Sequence, residues 1–200
     1  MTWVKVCGLR RAVDVEVAVE AGASAIGFVL APSSARFVSE SQAAALGLGV
    51  PVLRVIVTVD LTPSELMAAA AATGAGGVQP HGLHHMEAAR VAQSEGLFVL
   101  HPVSVRDRVE VSKVDEGQTP LLDTYRPGAH GGTGQLFDWA KIPDLARPFV
   151  LAGGLGPANV AEAIRRVAPW GVDASSSLES SPGVKDPDRI REYVKRALDR

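Results

Sequence analysis

Short apolar runs recur along the chain and alternate with stretches of helical period. The runs are WVKVC (3–7), AIGFVL (25–30), VLRVIV (52–57), GGVQ (76–79), LFVLHPV (97–103), PLLD (120–123), FVLAGG (149–154) and VDASS (172–176). Each has the length of a strand, and near-continuous apolarity fits strands covered on both faces. Between them the spacing predicts helices over 11–21, with Ala12, Val15, Ala18 and Val19 on one face, and over 63–72, 84–95, 157–167 and 187–198. Thr62-Pro63, Gly156-Pro157 and Asp186-Pro187 read as helix starts, because proline's missing N–H costs nothing in a first helical turn. Strands alternating with helices pair in parallel through right-handed crossovers, and eight such units predict a closed (β/α)8 TIM barrel, α/β in class. An open doubly wound sheet is the alternative. With no Pro/Gly/Ser linker or low-complexity break, residues 1–200 read as a single domain.

A barrel changes the meaning of its polar residues, because active sites form at the carboxyl ends of the strands. The predicted ends carry Cys7-Gly8, Ser34 and Arg36, Gln79 and His81, Asp123, Gly153-Gly154, and Asp173 with Ser175-Ser176. Two glycines let backbone N–H groups approach an oxyanion. The SSS run at 175–177 opens a short extra helix, and together these read as a phosphate site in the loops after strands seven and eight. Arg36 offers a planar fork to a carboxylate or second anion. Cys7 and Asp123 face each other across the mouth, where a thiol and a carboxyl can pass protons in opposite directions. As a base the thiol must be partly thiolate, which calls for a lowered pKa; Lys5 and the helix start near Arg10 and Arg11 are the expected sources of that field. A lone cysteine also serves widely as a small core hydrophobe.

Composition narrows the partners. Twenty basic and twenty-two acidic residues give a net charge of −2 with no basic block, so nucleic acid is excluded as the expected partner. The single cysteine forms no internal disulfide, and no apolar run reaches the roughly 18 residues of a membrane span. The chain is therefore expected to be cytoplasmic, off the membrane, and to act on a small molecule.

KVCGLR (5–10), GFVLAPSSARFVS (27–39), VQPHG (78–82), LLDTYRPGAHGGTGQLFDW (121–139), LAGGLGPANVAEAI (151–164) and GVDASSSLESSPGVKD (171–186) resemble, in order, the motifs of the phosphoribosylanthranilate isomerase family. The resemblance implies the Amadori rearrangement of N-(5′-phosphoribosyl)anthranilate to 1-(2-carboxyphenylamino)-1-deoxyribulose 5-phosphate in tryptophan biosynthesis, without cofactor or metal. It makes Cys7 the general base, Asp123 the general acid and Arg36 the ligand of the anthranilate carboxylate. Gly153, Gly154, Asp173, Ser175 and Ser176 then surround the phosphate, with Lys5, Gln79 and His81 as further substrate-binding candidates. Monomer and homodimer both stay open. The pattern departs from the family at Pro80, at Leu83-His84-His85, at LHPVSV (100–105) and at Ser177, changes expected to alter pocket shape more than the acid–base pair. His81, His84 and His85 lack the spacing of a helical metal site. The alternatives are a related aminoaldose–aminoketose phosphate isomerase with a shifted substrate, and a non-catalytic phosphoribosyl-binding barrel.

Overall fold

The computed structural model describes residues 1–105, 109–124 and 139–199, with the side chains of Thr124 and Lys141 excepted. Its elements run β1 (Trp3–Cys7), α1 (Ala12–Glu20), β2 (Ala25–Val29), α2 (Glu40–Gly47), β3 (Leu53–Val59), α3 (Pro63–Thr73), β4 (Gly77–His81), α4 (His85–Ser94) and β5 (Phe98–Val105). They continue with β6 (Thr119–Thr124), β7 (Val150–Leu151), α5 (Val160–Val167), β8 (Gly171–Ala174), a hairpin of β9 (Glu179–Ser181) and β10 (Val184–Lys185), and α6 (Pro187–Leu198). Strands β1 to β8 pair in chain order and close into a barrel; all eight pairings are parallel, and β8 meets β1 with Gly171 opposite Trp3 and Asp173 opposite Lys5. The predicted barrel is the one observed, and the open sheet is not.

The helix starts follow local chemistry. Thr62 and Glu65 form a capping box in front of Pro63, and Asp186 accepts from the N–H groups of Asp188 and Arg189 beside Pro187. Gly156-Pro157 is a correction: Pro157 lies in a turn and α5 begins only at Val160, because Asn159 folds back, accepting from Gly156 N–H and donating to Gly154 O. Helix α2 was not among the predicted helices. Its signal is the Ser39-x-x-Gln42 capping box, whereas only Ala43 and Gly47 of its residues are buried, so it carries little hydrophobic period. After β5 and β6 the described residues show single 3-10 turns at Val111–Lys113 and Trp139–Lys141 instead of α-helices.

Alternation along each strand sorts the core into two layers. Val4, Val6, Ile26, Phe28, Leu122, Leu151 and Val172 point outward under the helices, where α6 adds Ile190, Tyr193 and Val194. Ala25, Val55, Leu100, Leu121 and Val150 fill the barrel above Trp3, Leu53 and Phe98. This apolar layer fills the amino half of the barrel, and the cavity lined by the strand-end residues lies at the carboxyl end. Among the described residues no helix is long and apolar enough to cross a membrane.

One polar residue interrupts the outer layer. His101 is 3% exposed, its Nδ1 lies 2.8 Å from Gln118 Oε1, and the ring of His85 stands edge-on 5.4 Å away. Burial pushes its pKa down, against the Gln118 bond. The unfolded chain therefore takes up a proton that the folded chain resists. Stability is full above the ordinary histidine value of about 6.5 and is lost as pH falls below it, at about 1.4 kcal/mol per pH unit until the folded-state value is reached. Urea unfolding from about pH 7.5 down to about pH 5.5 should show a steeper loss for the natural chain than for His101→Leu. Parallel profiles would remove His101 as the titrating group.

Candidate active site

Above the apolar plug the inward positions become polar. Cys7 ends β1, Gln79 lies in β4 and His81 ends it, Asp123 is the penultimate residue of β6, and Asp173 lies in β8. All five line one cavity of about 390 Å³ at the carboxyl mouth, within the usual size of a small-molecule site. Arg36 joins them from the loop after β2, Gly153 and Gly154 from the loop after β7, and Ser175 and Ser176 from the loop after β8. Thus every predicted site residue except Lys5 stands on the wall of the same cavity.

Lys5 lies one layer behind it. Its ammonium is fully buried, donating to Asp173 Oδ2 at 2.8 Å and Gln79 Oε1 at 3.0 Å. Burial opposes its charge, and Asp173 and Cys7 outweigh burial, so Lys5 is held above the ordinary lysine value. Gln79 passes the contact on, with its Nε2 3.1 Å from His81 Nε2. The second oxygen of Asp173, Oδ1, is buried with no hydrogen-bond partner among the described residues.

The packing around Cys7 explains a glycine. A Cβ on Gly27 would come within 2.7 Å of Cys7 Sγ, 3.1 Å of Cys7 Cα and 3.2 Å of Lys5 Cε, so a bare backbone in β2 makes room for thiol and ammonium together. Cys7 is 6% exposed. Burial is the largest influence on its thiol and pushes the pKa up, with Lys5 working in the opposite direction. The structure thus reverses the expected lowering. The other proposed sources are engaged elsewhere: Arg10 donates to Ala35 O, and Arg11 donates to Asp14 and Lys185 O.

The anion-binding expectation rests on backbone geometry. Gly153 and Gly154 both have left-handed φ, 81° and 72°, a conformation costly for residues with a Cβ. Their N–H groups, and those of Ser175 and Ser176, make no hydrogen bond to another described residue. Ser176–Leu178 forms the short extra helix, a single 3-10 turn. Ser177 Oγ donates to Leu155 O and ties the two loops together, which gives a use to this departure from the family pattern. Among the described residues, no group of three or more His, Cys, Asp or Glu side chains is arranged to hold a metal ion. The motif residues 125–138 lie outside the described part of the chain.

Two functional candidates were missed. Glu179 and Lys185 are buried opposite each other in the β9–β10 hairpin, and Glu179 forms a bidentate ion pair with Arg36 at 2.6 and 2.9 Å. The signal available was an acid and a base flanking the Ser181-Pro182-Gly183 turn, the arrangement of cross-strand partners. Arg36, expected to reach a ligand with its whole fork, has part of that fork committed to the protein.

Comparison with known proteins places the whole chain among proteins of one activity. The family model described as N-(5′-phosphoribosyl)anthranilate (PRA) isomerase matches residues 4–196. The N-(5′-phosphoribosyl)anthranilate isomerase of Chromohalobacter salexigens is 44% identical, over 96% of this chain and 92% of that protein. Among solved structures, monomers generated from the dimeric phosphoribosylanthranilate isomerase of Thermotoga maritima superpose with a TM-score of 0.81 at 33% identity, covering 98% of each chain. A phosphoribosylanthranilate isomerase bound to reduced 1-(o-carboxyphenylamino)-1-deoxyribulose 5-phosphate superposes with a TM-score of 0.80 at 33% identity, again over 98% of each chain.

Proposed function

The chain belongs to the N-(5′-phosphoribosyl)anthranilate isomerase family, and from that premise we propose that it converts this aminoaldose phosphate into 1-(2-carboxyphenylamino)-1-deoxyribulose 5-phosphate, a step of tryptophan biosynthesis. The observation that carries the reading is the meeting, in one cavity, of Cys7 and Asp123 with the N–H groups of Gly153, Gly154, Ser175 and Ser176, which have no partner among the described residues. The four amides are donors for the phosphate, whose charge suits a backbone nest. The unengaged part of the Arg36 fork meets the anthranilate carboxylate at the other end of the ligand. Asp173 Oδ1 is an acceptor for a ribose hydroxyl.

The chemistry runs between these anchors. Asp123 donates its proton to the ribose ring oxygen, the C1′–O bond breaks, and the sugar opens to a protonated Schiff base. The iminium acidifies the neighbouring C2′–H, and the Cys7 thiolate removes that proton to leave an enolamine. Tautomerisation adds a proton at C1′ and releases the one on the C2′ hydroxyl, giving the ketone. His81, held by Gln79, lines the same wall and contacts the opened sugar. The reaction is expected to run in the cytoplasm without a metal, and the chain to act as a monomer or a homodimer, with residues 1–200 as one catalytic domain.

The test is direct. Anthranilate derivatives fluoresce, so freshly made N-(5′-phosphoribosyl)anthranilate mixed with the protein should lose fluorescence far faster than it decays alone, at a rate that EDTA leaves unchanged. Inorganic phosphate should compete. No acceleration, or acceleration only of an aminoaldose phosphate lacking the benzoate ring, would overturn the assignment.

A further inference from the structure

Behind the cavity wall Arg36 is tied into an ion network with Glu179 and Lys185, two residues to which the reaction above gives no part. Arg36 donates through Nε to Glu179 Oε1 at 2.6 Å and through Nη2 to Glu179 Oε2 at 2.9 Å. Its Nη1 has no protein partner among the described residues. Glu179 takes two more donors, Lys185 Nζ on Oε1 at 2.9 Å and Gly183 N–H on Oε2 at 3.1 Å. Four donors use up the carboxylate's acceptor sites. Lys185, 2% exposed, turns its remaining hydrogens to Ser175 O at 2.9 Å and Ser175 Oγ at 3.4 Å. The hairpin backbone is pinned as well, by Arg189 on Glu179 O and by Arg11 on Lys185 O. The Arg36 stem runs over Gly8, where a Cβ would lie 2.7 Å from its Cδ.

Stability is a poor reason for such a cluster, since a buried ion pair is often matched or bettered by apolar residues of the same volume. Orientation is a better one. A guanidinium at a cavity mouth samples many rotamers, and a bidentate partner reduces them to one plane. Burial alone would raise the Glu179 carboxyl; the hydrogen bonds from Arg36 and Lys185 outweigh it and keep the group ionised. The charges also sum usefully: two cations against one carboxylate leave one net positive charge, which a single ligand carboxylate can neutralise.

We infer that Glu179, clamped by Lys185 and the Gly183 amide, is a positioning residue that fixes the Arg36 guanidinium so that Nη1 is presented to the ligand's carboxylate. This rests on the reading of Arg36 given above and assigns the hairpin after β8 a part in specificity for carboxylated ligands. With Glu179 neutral, Arg36 and Lys185 repel each other and the fork loses its plane.

Two probes separate positioning from support of the fold: the reduced product analogue carrying its carboxylate, and the anilino counterpart without it. Glu179→Gln should raise KM at least about tenfold while kcat stays within about threefold, and should weaken the carboxylated analogue at least about tenfold while sparing the anilino compound. In an Arg36→Ala background the same substitution should change neither affinity, because the group it positions is gone. If Glu179→Gln alone does not fold, Glu179→Gln/Lys185→Met removes both charges together and should show the same selective loss. Equal weakening of both probes, additivity with Arg36→Ala, or an unchanged KM would overturn the positioning role. A natural protein that binds both probes equally would instead remove Arg36 as carboxylate ligand, and this inference with it.

Discussion

Cys7→Ser and Asp123→Asn should each cut turnover by at least about a hundredfold with the barrel intact, the scale of a positioned base or acid. Both side chains stand at strand ends on the cavity wall, so the exchanges, isosteric apart from the chemistry they remove, need no repacking. Affinity for the reduced product analogue should survive, because the phosphate donors are backbone N–H groups and Arg36 is untouched. Near-normal turnover in either variant would take that residue out of the mechanism. The pH profile adds a second check. Only the thiolate acts as base, and burial holds the Cys7 thiol above its ordinary value against the pull of Lys5. The thiolate fraction of the free enzyme thus keeps growing with pH, and kcat/KM should still be rising at about pH 8.5, the ordinary thiol range. A profile flat from neutral pH upward would mean that another group sets the base.

Lys5→Met should produce the other large loss, in stability. The substitution keeps the aliphatic stem but leaves Asp173 without its cation, 2.8 Å away, in a site where Asp173 is 7% exposed. Breaking a buried pair from one side costs about 3–5 kcal/mol; because Asp173 also lines the cavity and water screens it there, the lower end, about 3 kcal/mol, is expected from urea unfolding. Adding Asp173→Asn should recover most of that loss, since the stranded charge rather than the missing contact is the main cost. A loss under about 1 kcal/mol for Lys5→Met, or no recovery in the double variant, would show that the uncompensated charge of Asp173 does not carry the cost assigned to it. Lys5→Met should also raise the Cys7 thiol further, moving the alkaline limb of the activity profile in the direction that confirms their coupling.

Much of this was legible along the chain. The eight apolar runs became the eight barrel strands, with ends shifted by a few residues: FVLAGG contracts to Val150–Leu151 because the two left-handed glycines cannot continue a ladder. VDASS ends at Ala174, where the serines turn into the 3-10 helix. Residues at strand ends gathered in one cavity because parallel barrels send every carboxyl end to the same face. Harder to read were features that depend on which distant groups become neighbours. Asn159 delays α5 past Pro157 by reaching back to Gly154 and Gly156, a bond that no propensity at Pro157 reveals. Arg36 read as a fork offered whole to a ligand anion, and part of that fork is paired with a residue far along the chain.

By itself the sequence determined the barrel and the face on which chemistry stands, because strand–helix alternation is a local property summed along the chain; the resemblance of its motifs to the family nominated Cys7 and Asp123 as the acid–base pair. Tertiary structure alone decided the electrostatics. Lys5 reads as a strand residue near a cysteine; only closure of β8 onto β1 puts Asp173 against it, and only burial beneath Gly27 turns the thiol's pKa upward. Glu179 and Lys185 drew no reading along the chain, and only the return of the chain over the loop after β2 buries them against Arg36. Desolvation and charge pairing depend on separations in space, which the order of residues does not contain.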